Sequence, residues 1–226
     1  MKRIVSIIML LSACVSAIWA SPAVCADADT GRRATLSVEG SLAAGLNGFS
    51  QRGAQLATTA GLSLGRYISI AGGLGVRHCY ALTTVDRNIH GYGEPDQHTY
   101  ADRFLLPLFV RVQGSVPPGR FSWAGASFVP FARLDIGYAV DLQPRDGGTS
   151  SETLRRPASG PFLIPAAGLD FRLQDGSAWS FALGVGIHAA QYTVVDHAAG
   201  GLGVLADVQY ATGNAVTLNF ILGHTF

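Results

Sequence analysis

The chain has 226 residues, with 48% hydrophobic and only 14% charged positions and a formal net charge of +1. Sixteen Lys and Arg against fifteen Asp and Glu give no basic surface of the kind a nucleic-acid partner requires. Beyond the first residues no stretch approaches twenty apolar residues, so the hydrophobicity is spread thinly in alternation and not gathered into membrane helices.

The N-terminus opens Met1-Lys2-Arg3 and runs apolar through Ile4, Val5, Ile7, Ile8, Met9, Leu10 and Leu11, the pattern of a secretory signal. Val24-Cys25-Ala26 places small residues where a signal peptidase reads, predicting residues 1–26 as a signal peptide and 27–226 as one domain. Leu11-Ser12-Ala13-Cys14 is an alternative processing site that would leave Cys14 acylated. The apolar continuation from Val15 to Ala20 favours cleavage after Ala26. That cleavage leaves Cys79 alone, so no internal disulfide is expected.

Segments of period two then recur to the end of the chain. Residues 34–47 set Leu36, Val38, Leu42 and Leu46 against Ser37, Glu39, Ser41 and Gly45. Residues 55–65 set Leu56, Leu62 and Leu64 against Thr59 and Ser63. Residues 67–82 carry Ile68, Ile70, Leu74 and Val76 opposite Ser69, Arg77 and Cys79. Residues 103–116, 128–143, 162–174 and 178–194 repeat the scheme. Their polar faces hold Arg111; Arg133, Asp135 and Asp141; Asp170 and Arg172; and His188. Leu202–Tyr210 and Val216–Phe226 keep even-numbered apolar residues on one face across Gly213, which predicts one long final strand with a kink or bulge near that glycine. Connections at 65–66, 117–119 and 175–176 are tight, whereas 83–102 and 144–161 read as long polar loops. The expectation is an all-β, antiparallel, up-and-down transmembrane barrel of eight strands, or ten if a hairpin has been merged.

Polarity distinguishes this from a secreted ligand-binding barrel. A water-facing exterior would be rich in charge, whereas the polar face here is mostly Gly, Ala, Ser and Thr. Small residues suit a narrow lumen, and the apolar face suits lipid, where a mid-membrane Arg costs about 2–4 kcal/mol. Glu39, Arg77, Arg111, Arg133, Asp135, Asp170 and Arg172 are therefore expected to meet inside as a charge network that fills and neutralises the lumen. Phe49, Tyr67, Tyr80, Phe104, Phe128, Tyr138, Phe162, Trp179, Tyr210 and Phe226 lie mainly toward strand ends, as interfacial girdles do.

Three stretches, Gly65-Arg66-Tyr67-Ile68-Ser69-Ile70-Ala71-Gly72-Gly73-Leu74-Gly75-Val76, Leu106-Pro107-Leu108-Phe109-Val110 and Phe131-Ala132-Arg133-Leu134-Asp135-Ile136-Gly137-Tyr138, carry a resemblance across nearly the whole mature chain. With the closing Leu222-Gly223-His224-Thr225-Phe226, the sequence resembles the small outer-membrane β-barrel proteins of the OmpA-barrel and OmpX kind. That resemblance implies an integral outer-membrane protein and a terminal signal, Phe220, Leu222 and Phe226, read by the barrel-assembly machinery. His224 departs from the usual apolar or aromatic residue at its position. The implied partners are outer-membrane lipid and lipopolysaccharide, with the chain a monomer.

No catalytic, cofactor or metal site is expected. His188 with Tyr192, and His90 and His98 with Asp96 and Asp102, are the groups an enzyme acting on lipid or peptide would need near the outer rim, but the family's His-x-Ser triplet is absent. Glu94 and the same loop histidines lack the tight spacing of metal ligands. Arg145, Asp146, Arg155 and Arg156 in the second loop read as a solvated segment able to meet lipopolysaccharide phosphates. A structural or adhesive surface role is the leading expectation, with a barrel enzyme and a narrow pore as alternatives.

Overall fold

A computed structural model describes residues 32–65, 67–88, 96–116, 122–123, 126–143, 158–174, 176–200 and 203–226. The predicted signal peptide, loop residues 144–157 with their arginines, and His90 and Glu94 lie outside these. The strands are β1 (Arg32–Asn47), β2 (Ser50–Leu64), β3 (Ile68–Asn88), β4 (Gln97–Ser115), β5 (Ser122–Trp123), β6 (Ala126–Asp141), β7 (Gly160–Arg172), β8 (Ala178–Gly200) and β9 (Gly203–Thr225).

Each long strand pairs antiparallel with its neighbours in the order β4-β3-β2-β1-β9-β8-β7-β6, and β4 pairs with β6 to close the ring. The two-residue β5 pairs only with the start of β6, so eight strands form the wall. Closure leaves no open edge at membrane depth, which is how a strand structure keeps its backbone satisfied in lipid. One rim carries Arg32, Phe226 and the turns at Gly65 and Gly176, whose φ values of 75° and 89° need glycine. The other rim carries the β1–β2, β3–β4, β6–β7 and β8–β9 connections.

Alternation sorts the side chains as the period predicts. Leu42, Leu183 and Phe220 point outward and are 66%, 55% and 52% exposed, whereas Ser37, Glu39, Arg111, Arg133, Asp135 and Asn219 are buried inside. Ile221, on the odd-numbered face of the last strand, is an inward apolar residue; His224 stays outward, its ring between Trp179 and Phe226 at 4.7 and 4.5 Å. Outward rings gather in two bands. Phe128, Phe171 and Phe181 stack successively near the terminal rim, and Tyr80 stacks on Tyr100 toward the other with Arg52 over its face. From Tyr67 to Tyr80 the strand climbs roughly 33 Å at a rise of about 3.3 Å per residue and a tilt of about 40°, enough to cross a hydrocarbon layer. Two expected girdle residues depart from this. Phe162 is buried inside, and Phe49 turns its ring inward onto Gly213.

The sequence expectation of a kink near Gly213 is not met. Ala190 pairs with Gly213 in a register that runs unbroken from Ala178 with Thr225 to Gly200 with Gly203. Gly213 is glycine for a different reason: a Cβ there would stand 2.3 Å from the Phe49 ring. The long loop expected at 83–102 is also shorter, because strand pairing continues to Asp86 with Gln97. Beyond the barrel wall, Thr84–Asn88 of β3 pair in parallel with Thr193–His197 of β8. These strands stand four places apart in a ring of eight, on opposite walls, so their pairing brings the two hairpins together over the mouth. The upper assembly is a sheet in the order β4-β3-β8-β9.

Candidate functional site

The lumen is crossed by four charged side chains. Glu39 projects from β1, Arg111 from β4, and Arg133 and Asp135 from β6. Since β1 and β6 stand opposite one another, Glu39 and the long arginine side chains together bridge the barrel. Its carboxylate accepts from Arg111 Nη1 and Nη2 at 2.5 and 2.8 Å and from Arg133 Nη1 and Nη2 at 2.7 and 3.0 Å. Arg111 also donates from Nε and Nη2 to Asp135 Oδ1 and Oδ2 at 2.7 and 2.8 Å. Arg111 thus holds one carboxylate on each side of its planar fork, an arrangement a lysine could not provide.

The backbone makes room for this layer. Phe109 pairs in register with Gly73 on one side and Gly137 on the other, so its ring lies against bare backbone, with the Arg111 guanidinium 5.5 Å above it. A Cβ at Gly223 would meet Glu39 Cγ at 2.9 Å. Two clusters of inward apolar side chains, one around Leu105, Phe109 and Phe162 and one around Phe131, Ala166, Ala182 and Ile221, share the lumen with the charges. Two cations balance two anions in a plug-like layer across the lumen.

The other residues expected in the network make no ion pair with this layer among the described residues, although Asp170 lies within electrostatic reach of Arg133, Glu39 and Arg172, and Arg77 within that of Asp135. Asp170 accepts from Ser180 Oγ at 2.7 Å. Arg172, half-buried at the end of β7, makes no ion pair among the described residues. Arg77 donates through Nε to Gln55 Oε1 at 2.7 Å and lies 5.1 Å from the centre of the Phe162 ring, without an ion pair among the described residues. Barrel stagger decides which inward residues share a level, and that is not contained in alternation. A further pair that the sequence reading did not single out, Arg103 with Asp141 at 3.7 Å, sits higher in the wall. Asp141 also accepts from the Ala158 backbone N–H at 3.3 Å, which ties the end of β6 to the start of β7.

Among solved structures, the chain is similar to the crystal structure of the outer membrane protein OprG from Pseudomonas aeruginosa. The identity is 13%, the match covers 85% of this chain and 95% of that one, and the TM-score is 0.50. The chain has the fold of a small outer-membrane β-barrel. No family model and no curated protein matches the sequence. At this identity the likeness carries the architecture and leaves the activity to be argued from this chain's own side chains.

Among the residues an enzyme would use, His188 faces the lumen and Tyr192 packs its ring 5.6 Å from Phe49. His78 and Asp102, 3.1 Å apart, form an exposed pair on the outer wall. Among the described residues no group of three metal-ligating side chains comes together. Phe220, Leu222 and Phe226 of the expected terminal signal all face outward, 52%, 45% and 53% exposed.

Proposed function

We propose that this chain is an integral outer-membrane protein whose barrel anchors a surface-exposed sheet for contacts outside the cell. The observation that carries the reading is the parallel pairing of Thr84–Asn88 with Thr193–His197 across the barrel mouth. The 23 residues of β8 climb roughly 58 Å at a tilt of about 40°, about twice the roughly 25 Å apolar band of such barrels. The excess is paired strand, which presents a rigid surface at low entropic cost to a partner. The Glu39–Arg111–Arg133–Asp135 layer supports a closed lumen over the pore alternative.

In this reading both termini and the tight turns face the periplasm, after removal of a signal peptide ending at Ala26. The apolar wall meets lipid and lipopolysaccharide, the terminal strand is read by the barrel-assembly machinery, and the barrel works as a monomer without catalysis. The test combines two measurements. A cysteine placed at Thr99 should react with a membrane-impermeant maleimide on intact cells, and the purified protein should give no stepwise conductance in a planar bilayer. A protected Thr99 cysteine, or steady conductance through the wild-type barrel, overturns the reading.

A further inference from the structure

Toward the mouth, the lumen holds a cavity of about 40 Å³, room for a few waters or one small ion. Arg77, Gln55 and His188 line it together with the Phe49 and Phe162 rings. One of these side chains has a buried atom without a partner, and another is a cation held by a neutral group. The Arg77 guanidinium has a neutral amide, Gln55 Oε1, as its hydrogen-bond partner and no carboxylate in an ion pair among the described residues. His188 Nε2 is buried with no hydrogen-bond partner, while the ring is held through a hydrogen bond to the Gly160 backbone.

Asp135 of the plug acts on Arg77 only at a distance, because Glu39 and Asp135 are both in ion pairs with Arg111 and Arg133. A cation withdrawn from bulk water gains most from an anion at its open fork, and guanidinium geometry favours paired oxygens. With one imidazole nitrogen donating to the Gly160 carbonyl, the neutral ring presents Nε2 as an acceptor. A ligand that satisfies both groups carries negative oxygens on one side and an O–H on the other.

We propose that this cavity is a binding site for a small oxyanion bearing an O–H group, held by the Arg77 guanidinium and donating to His188 Nε2. The site lies on the mouth side of the plug, so it fills from outside the barrel and offers no onward path. Hydrogen phosphate has the required size and groups; sulfate has the same shape and no proton at neutral pH. Gln55 sets the charge of the pocket by holding Arg77 without neutralising it.

The experiment is titration calorimetry of the full chain, folded in detergent, with inorganic phosphate and with sulfate at pH 7. Phosphate should bind with 1:1 stoichiometry and at least tenfold more tightly than sulfate. Gln55→Glu, which supplies an internal counter-ion without shortening any side chain, should weaken phosphate at least tenfold; His188→Phe should remove the preference over sulfate. Heat-modifiable gel mobility checks that each variant is folded. If Arg77→Met fails to fold, Gln55→Glu still tests the charge. Absence of phosphate binding, equal binding of the two anions, or a Gln55→Glu protein that binds like wild type overturns the proposal.

Discussion

Replacing Glu39 with Gln tests whether the plug is a cooperative electrostatic layer. The wild-type carboxylate takes four hydrogen bonds from two guanidinia, and its side chain is only 8% exposed. Glutamine keeps the volume but offers one oxygen, and it turns an amide N–H₂ toward a donor. The layer then carries one uncompensated positive charge. Removing one partner of a buried ion pair costs about 3–5 kcal/mol, because the remaining charge stays desolvated. At a urea dependence of about 2 kcal/mol/M, the unfolding midpoint in lipid vesicles should fall by roughly 1.5–2.5 M. Adding Arg133→Met restores neutrality and leaves the two-pronged contact between Arg111 and Asp135 in place. The double variant should therefore lie above the sum of the single losses by about 1–3 kcal/mol. A midpoint shift below about 0.5 M for Glu39→Gln, or strict additivity in the cycle, would refute the cooperative layer.

Three further outcomes follow from the packing and the topology. Gly73→Val places a Cβ 2.3 Å from the Phe109 ring and should cost about 1–3 kcal/mol or more in the same unfolding assay, most of it recovered by Phe109→Ala; no recovery would mean the ring is not the obstacle. Val85→Pro removes backbone pairing where β3 meets both β4 and β8, so amide exchange at 84–88 and 193–197 should accelerate while heat-modifiable mobility persists; unchanged exchange at 193–197 would show that the hairpins do not meet. Deleting Phe226 removes one side of the stack on His224 and the outward ring at the chain end; outer-membrane levels in cells should fall several-fold while refolding in detergent continues, and undiminished levels would remove the terminal signal from consideration.

Face assignment was legible because lipid and lumen impose opposite chemistries on alternate residues. Leu42 and Phe220, or Glu39 and Asn219, could each be placed by parity alone, and strand number followed once even parity carried across Gly213. Parity does not report height. Glu39 and Arg77 are both inward, yet one bridges to the opposite wall and the other is held by Gln55 at a different level. Which pair forms depends on stagger and closure, properties of the whole ring. The Phe49 ring illustrates the same gap: its contact with Gly213 links positions far apart in sequence, and locally Gly213 reads as a bend.

The upper sheet was illegible for a different reason, and it bears on how the protein works. Thr83, Thr84, Asp86, Arg87 and Asn88 surround a single apolar residue, Val85, too little for a period-two pattern, so this paired strand has the composition of a loop. What holds such a segment is backbone pairing together with the burial of Val85 and Val194, register partners in the β3–β8 pairing, and a lone hairpin in water is marginal. Joining the two hairpins from opposite walls turns two marginal ribbons into a four-stranded sheet, with the rigid barrel fixing both bases. The charged layer bears on the same geometry: Glu39 with Arg111 and Arg133 ties β1 to β4 and β6 across the barrel, and bracing the cross-section should help hold the bases of β3 and β8 at the separation that the pairing at Thr84–Asn88 requires. Loosening the plug should therefore be felt at the sheet. Glu39→Gln is expected to speed amide exchange at 193–197 several-fold even where the barrel stays folded, whereas Asp102→Asn, a change in an exposed outer-wall pair, should leave that exchange unaltered.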